Sequence, residues 1–117
     1  MSRRDTDRTG RAAETAAAWL LRLKGFRILE RRFATPVGEI DLVACRGDLL
    51  LFVEVKRRGE LAAASEALLP GQQQRVARAA EIYLQRRPAA RSMRCRFDVI
   101  AIAPWRWPVH VTDAWRL

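Results

Sequence analysis

The sequence predicts an α/β fold, a mixed central sheet of four to five strands flanked by helices. Two segments, residues 11–24 and 72–87, place apolar residues at helical spacing. Three short runs rich in branched and aromatic residues lie between them, and at least one more follows. The order of helix, three strands, helix and one or two strands calls for helices packed against a sheet. A chain of 117 residues, half of them hydrophobic, suffices for one core and not for two. Residues 10–117 are therefore expected to form a single domain behind a polar, disordered N-terminus of residues 1–9.

From Arg11 to Lys24, RAAETAAAWLLRLK is rich in strong helix formers, and Gly25 offers a C-terminal stop. Ala13, Ala16, Ala17, Leu20 and Leu21 recur on one face, and the alanines would let that face lie close to a sheet. FRILERRF (26–33) reads as a strand with Phe26, Ile28 and Glu30 on one side. Thr35, Pro36 and Gly38 mark a turn. EIDLVACR is a second strand and LLLFVEVKR a third, joined by Gly47-Asp48. Residues 59–71, closing on Pro70-Gly71, read as a loop. QQQRVARAAEIYLQRR is the second helix, with Val76, Ala79, Ala80, Tyr83 and Leu84 as its apolar stripe and Pro88 as its stop. MRCRFDVIAI is a fourth strand, and VHVT (109–112) is a candidate fifth after the connection PWRWP.

Composition excludes some classes. No apolar run reaches the ~18 residues that span a bilayer. The basic MSRRDTDRTG is not followed by the apolar stretch of a signal peptide, so the cytoplasm is expected. Cys45 and Cys95 match no metal-binding spacing and read as small buried thiols in a reduced compartment, although sequence alone does not exclude a disulfide. Lys and Arg number 22 against 13 Asp and Glu, a net charge of +9. A small domain this basic is predisposed to bind polyanions. Only Lys24 and Lys56 are lysines. Where the chain needs positive charge it uses arginine, so a lysine, whose compact ammonium can lose its proton when desolvated, attracts interest at position 56.

The central chemistry lies in the hairpin of residues 39–57. Side chains alternate along a strand, so Leu50, Phe52, Glu54 and Lys56 share a face. If Gly47-Asp48 is a two-residue turn, Arg46 faces Leu49, Asp41 faces Glu54, and Glu39 faces Lys56. Facing Cβ atoms lie about 4.5–5.5 Å apart, and like charges that close are destabilising. A shared proton, a cationic side chain or a divalent ion must offset the repulsion. Two carboxylates with a backbone carbonyl and water make a hard oxygen site suited to Mg²⁺ or Mn²⁺. The competing reading is the solvated face of an ordinary amphipathic hairpin. Phe52 on the same face and the apolar run from Leu49 to Val53 argue against full exposure.

GEIDLVA followed by FVEVKRR resembles the Asp…Glu-x-Lys signature of the PD-(D/E)xK nuclease superfamily, and more closely the small bacterial YraN-like family. The segments AAEIYL and RFDVIAI add to the likeness, which runs over roughly residues 9–113. Ile40 stands where the superfamily pattern has a proline. The resemblance implies a restriction-endonuclease-like core, similar to that of archaeal Holliday-junction resolvases. It implies that Asp41 and Glu54 bind the metal with the Val55 carbonyl as a third ligand. Lys56 would orient or deprotonate the attacking water and stabilise the charge that develops on phosphorus. Glu14 matches a position where the superfamily often supplies a further acid, with an exposed helix glutamate as the alternative. Gln72 would meet a phosphate at the start of the second helix. Asp98 is expected to pair with a nearby arginine, and His110 to be structural.

The reaction so implied is metal-assisted hydrolysis of a phosphodiester, with Mg²⁺ or Mn²⁺ as cofactor and DNA favoured over RNA. Arg57, Arg58, Arg75, Arg78, Arg86 and Arg87 are candidates to hold the backbone. The small size leaves a homodimer or a partner as the means of enlarging the grip. A nucleic-acid-binding module without activity is the alternative, and a protein-interaction subunit using Trp105, Trp107 and Trp115 is a third. The intact Asp41, Glu54 and Lys56 set favours the enzyme, because binding alone does not need it.

Overall fold

The computed structural model describes residues 3–57 and 70–116. Its elements are α1 (Arg3–Leu23), β1 (Arg27–Thr35), β2 (Gly38–Arg46), β3 (Leu49–Arg57), α2 (Pro70–Arg86), a 3₁₀ turn (Pro88–Ser92), β4 (Arg94–Ile102) and β5 (Val109–Trp115). The five strands form one sheet in the order β1-β2-β3-β4-β5. Neighbours are antiparallel except β3 and β4, which run parallel. A parallel pair needs a long crossover, and α2 lies on that connection. The mixed α/β class and the order of elements are those expected.

Each face of the sheet carries one helix. On one side Ala17, Ala18 and Leu21 of α1 pack on Leu42, Ala44, Leu51, Val53 and Ile100. On the other, Val76, Ala79, Ala80 and Tyr83 of α2 pack on Ile40, Val43, Leu50 and Phe52. β3 is buried from Leu49 to Val53 on both sides, which is why it reads as a continuous apolar run. Aromatic rings cross the α2 side. Trp115 stacks on Phe97 with centroids 4.0 Å apart, and Phe97 lies 5.6 Å from Phe52. Tyr83 meets Phe52 and Phe33 edge-on. Trp115 is thus buried sheet cover and no part of an exposed docking surface.

Several local expectations are corrected. α1 begins at Arg3 rather than Arg11, because no proline interrupts the run and extending a helix costs less than nucleating one. α2 begins at Pro70, within the expected loop; proline suits a first helical turn, where its missing N–H is not needed. The rest of that loop lies outside the described residues. Phe26 and Ile28 pack on the α1 side, but Glu30 turns the other way and meets Arg87, just past the end of α2, at 2.7 Å. A register shift between Ile28 and Glu30 reverses the alternation. Cys45 and Cys95 are both free, and Cys95 is exposed, because burial in β4 begins only at Asp98. The two cysteines flank Leu50 from opposite sides of β3. Two strand spacings hold their Cα atoms about 10 Å apart, beyond disulfide reach.

Candidate active site

The β2–β3 turn sets the register. Gly47 takes φ 59°, and Arg46 faces Leu49 as a two-residue turn requires. The ladder runs to Leu42–Val53 and stops there. One residue further, Asp41 Oδ2 accepts the Val55 N–H at 2.8 Å. A carboxylate thus satisfies a backbone donor that a longer ladder would have paired with β2. On the other edge of β2, the β1 pairing skips Arg32 and Asp41, and Arg32 takes φ 53°. Ile40 packs on the α2 side and Leu42 on the α1 side, so the strict alternation breaks at Asp41. β3 meanwhile stays paired with β4 through Arg57–Ile102. The strands part where the acidic residues stand.

A cavity of about 200 Å³ opens at this fork, lined among others by Glu14, Asp41, Glu54, Val55, Lys56 and Arg57. Lys56 Nζ lies 3.7 Å from Glu54 Oε1, and Asp41 lines the same cavity as Glu54. Burial pushes Asp41 up to about 6. The Val55 N–H opposes that rise, the charges of Glu14 and Glu39 add to it, and Lys56 lowers it. Glu54 is pushed up to about 8, by burial first and by the Asp41 charge second, with Lys56 opposing. Two carboxyls this close do not ionise independently, and one ammonium does not compensate both. With nothing added, the pair keeps a proton near neutral pH.

Glu14 is buried, with 6% of its surface exposed, so it is not a solvated helix residue. Both its oxygens accept the Arg32 Nε–H at 2.9 Å. The left-handed backbone at Arg32, which brings its guanidinium to Glu14, has no sequence signature. The ladder ends one pair before Asp41 and Glu54, so neither Asp41–Glu54 nor Glu39–Lys56 is the facing pair that the extended register required. Glu39 lines a second cavity of about 200 Å³ with Glu54, Gln72, Arg75 and Val76. Gly38 brings α2 to this point: a Cβ there would lie 2.6 Å from the Arg75 carbonyl oxygen. Glu54 therefore looks into both cavities, and Gln72 and Arg75 border the second.

The remaining arginines divide. Arg86 lies over Phe33 and Arg87 holds Glu30, so both brace α2. Arg57 is in the first cavity's wall, Arg75 borders the second, and Arg78 is exposed on α2. Arg58 lies outside the described residues. Among the described residues, no three His, Cys, Asp or Glu side chains gather closely enough to hold a metal ion by themselves. The carboxylates of Asp41 and Glu54 at the fork are hard oxygen donors. Such a set suits Mg²⁺, which keeps several waters and takes one or two carboxylates from the protein.

A second acidic centre lies on β4. Asp98, 1% exposed, accepts two hydrogen bonds of 2.9 Å from Arg96, one of 2.9 Å from the Asp113 N–H and one of 2.8 Å from His110 Nε2. Lys24 Nζ donates to His110 Nδ1 at 2.7 Å. These bonds and the Arg96 charge hold the Asp98 carboxyl below its ordinary value despite burial.

The protein family described as Uncharacterised protein family UPF0102 matches residues 13–102 of this chain. A UPF0102 protein of Parvibaculum lavamentivorans is 58% identical over 109 residues, covering 93% of this chain and 82% of its own length. UPF0102 protein amb4503 of Paramagnetospirillum magneticum is 51% identical, covering 94% and 88%. UPF0102 protein mlr4633 of Mesorhizobium japonicum is 50% identical, covering 97% and 90%. The matched span runs from the helix turn that carries Glu14, through Asp41, Glu54 and Lys56, to the end of β4. This chain belongs to the UPF0102 family, the YraN-like proteins.

Proposed function

We propose that the chain is a metal-dependent endonuclease that hydrolyses phosphodiester bonds in nucleic acid, with branched or single-stranded DNA as the favoured substrate. One observation carries the reading: Asp41 and Glu54 share a cavity with Lys56 at the parting of β2 and β3, and both carboxyls are raised. Such an arrangement opposes folding without a cation, so it is poorly explained as structure alone. The likeness of GEIDLVA and FVEVKRR to the PD-(D/E)xK signature points the same way.

Asp41, Glu54 and the Val55 carbonyl would hold Mg²⁺ or Mn²⁺, which supplies positive charge to the phosphate and lowers the pKa of bound water. Lys56 stands beside Glu54, where its ammonium orients the attacking water and stabilises negative charge as it develops on the phosphate. Arg32 neutralises Glu14 and keeps a third carboxylate from repelling the substrate. Gln72 and Arg75, with the start of α2, offer donors for a neighbouring phosphate. Arg57 and Arg78, with Arg58 outside the described residues, extend the basic surface that grips the backbone. No described helix is long and apolar enough to cross a membrane. We place the activity in the cytoplasm, where two free thiols are at home, and a homodimer would enlarge the grip.

The test is cleavage of a panel of duplex, flap, junction and single-stranded DNA with Mg²⁺ or Mn²⁺. Asp41→Asn, Glu54→Gln and Lys56→Ala should each lower the rate by about 100-fold or more, while DNA binding survives. Lys56→Arg keeps the charge and should also lose activity if a compact amine is required. Parent-like cleavage by Glu54→Gln and Lys56→Arg would show the site to be wrong. A parent that binds DNA with steep salt dependence but cuts nothing would leave a nucleic-acid-binding module.

A further inference from the structure

The β4–β5 loop, residues 103–108, reads APWRWP. Trp105 and Trp107 are 101% and 90% exposed, and Arg106 between them is exposed too. A protein surface seldom leaves two indoles uncovered, because each presents a large apolar area to water. Trp105 also holds φ 62°, a left-handed conformation that costs a non-glycine residue about 1 kcal/mol or more. The backbone is thus held in a disfavoured state while its side chain stays in solvent. Pro104 and Pro108 bracket the segment and restrict its freedom.

The sheet places this loop at the end that carries the site. β3 and β4 run parallel, with Lys56 paired to Ala101 and Arg57 to Ile102. The loop starts at the next residue. One strand spacing of ~4.8 Å plus four residues of at most ~3.6 Å each bring the Trp105 Cα within about 19 Å of the Lys56 Cα. That span is about six stacked nucleotides at ~3.4 Å each.

We infer that Trp105 and Trp107 form a stacking platform for unpaired bases of a nucleic-acid strand whose backbone runs to the Asp41, Glu54 and Lys56 cavity. The inference rests on the nucleic-acid reading of that cavity and names the form it engages: a strand with bases exposed, not a closed duplex. Indoles stack on any base, because every base has a π face. Arg106 is exposed between the two rings, where a phosphate between stacked bases would meet it, and the net charge of +9 favours a polyanionic occupant over a neutral or basic one. An apolar protein partner would gain little from an arginine between the two rings.

The experiment measures fluorescence anisotropy of labelled oligo-dT, and of an abasic oligomer of equal length, with the full chain in EDTA across a salt series. Trp105→Ala and Trp107→Ala should each weaken oligo-dT binding about tenfold and leave abasic binding and the salt slope unchanged. Trp105→Phe and Trp107→Phe should recover most of the loss. Arg106→Ala should weaken both oligomers and reduce the salt slope by about one. Thermal melts check that the exposed substitutions leave the fold intact. The inference is overturned if the double alanine variant binds oligo-dT as the parent does, which leaves the nuclease reading untouched. It is overturned too if both oligomers lose affinity equally. Loss of binding to anionic phosphatidylglycerol vesicles, with oligo-dT binding unchanged, would assign the loop to membranes instead. A parent that binds neither oligomer overturns the platform, and the nuclease reading then stands or falls on the cleavage panel with Mg²⁺ or Mn²⁺.

Discussion

Two acidic centres, one buried and one half-buried, lie in adjacent strands of one sheet and are treated in opposite ways. Asp98 on β4 receives hydrogen bonds from Arg96, His110 and the Asp113 backbone, and its carboxyl is held low. Asp41 and Glu54, at the β2–β3 fork, have each other, one backbone N–H and a single lysine, and both are raised. Asp98 is the more deeply buried, yet it is the one held low, so burial does not explain the difference. The difference lies in how fully the fold itself supplies compensating donors. A carboxylate fully answered by its own chain is a structural tie. A pair left under-compensated is the one placed to receive something from outside.

The largest expected effect tests the structural side of that contrast. Asp98→Ala strands His110 and Arg96 and should destabilise the fold by about 3 kcal/mol, read by urea unfolding. A loss under about 1 kcal/mol would mean that Asp98 is no tie. The folded pKa of Asp98 is depressed, so its contribution is present above the unfolded pKa and disappears as pH falls through the folded one. The Asp98→Ala penalty should therefore shrink in acid.

Next comes the wall shared by the site and α2. Gly38→Ala puts a Cβ against the Arg75 backbone and should cost about 2 kcal/mol. If Gln72 and Arg75 take part in gripping substrate, DNA affinity should fall as well. A variant as stable as the parent would show that α2 can retreat without consequence.

The smallest effect carries the opposite sign and most directly probes the fork. Glu54 and Asp41 have raised folded values, so the native state holds protons that the unfolded state has released. Stability from this pair is greatest below about pH 4 and declines as pH rises towards about 8. Glu54→Gln should remove most of that decline and stabilise the chain at pH 8 by about 1 kcal/mol relative to pH 5. In the parent, Mn²⁺ should raise the melting temperature at pH 8, and the variant should lose most of that gain. An unchanged slope between pH 5 and 8 in Glu54→Gln would mean that the two centres do not differ as described.

Much of the site was legible because it is local. Gly47-Asp48 sets the hairpin register as far as Leu42–Val53, which brings Asp41 and Glu54 to the end of the ladder where they line one cavity. Alternation puts Lys56 two residues beyond Glu54. The face assignment failed at Glu30 and Glu39, since a register shift and an early end to the ladder are not written in hydrophobic spacing. The rarity of lysine singled out position 56 and passed over the other lysine. Lys24, which looked unremarkable, donates to His110 from 86 residues away.

By itself, the sequence determined the mixed α/β class, the two helices, the strand order along the chain and the family, because periodicity, turn chemistry and the Asp…Glu-x-Lys spacing are short-range properties. Tertiary structure alone decided which acids are compensated. It buried Glu14 against an arginine held in a left-handed conformation, surrounded Asp98 with donors from β4 and β5, and left Asp41 and Glu54 short of positive charge. It also separated the tryptophans, packing Trp115 onto Phe97 while leaving Trp105 and Trp107 in water. Burial and partner choice depend on segments far apart in the chain meeting in space, and no local pattern encodes that meeting.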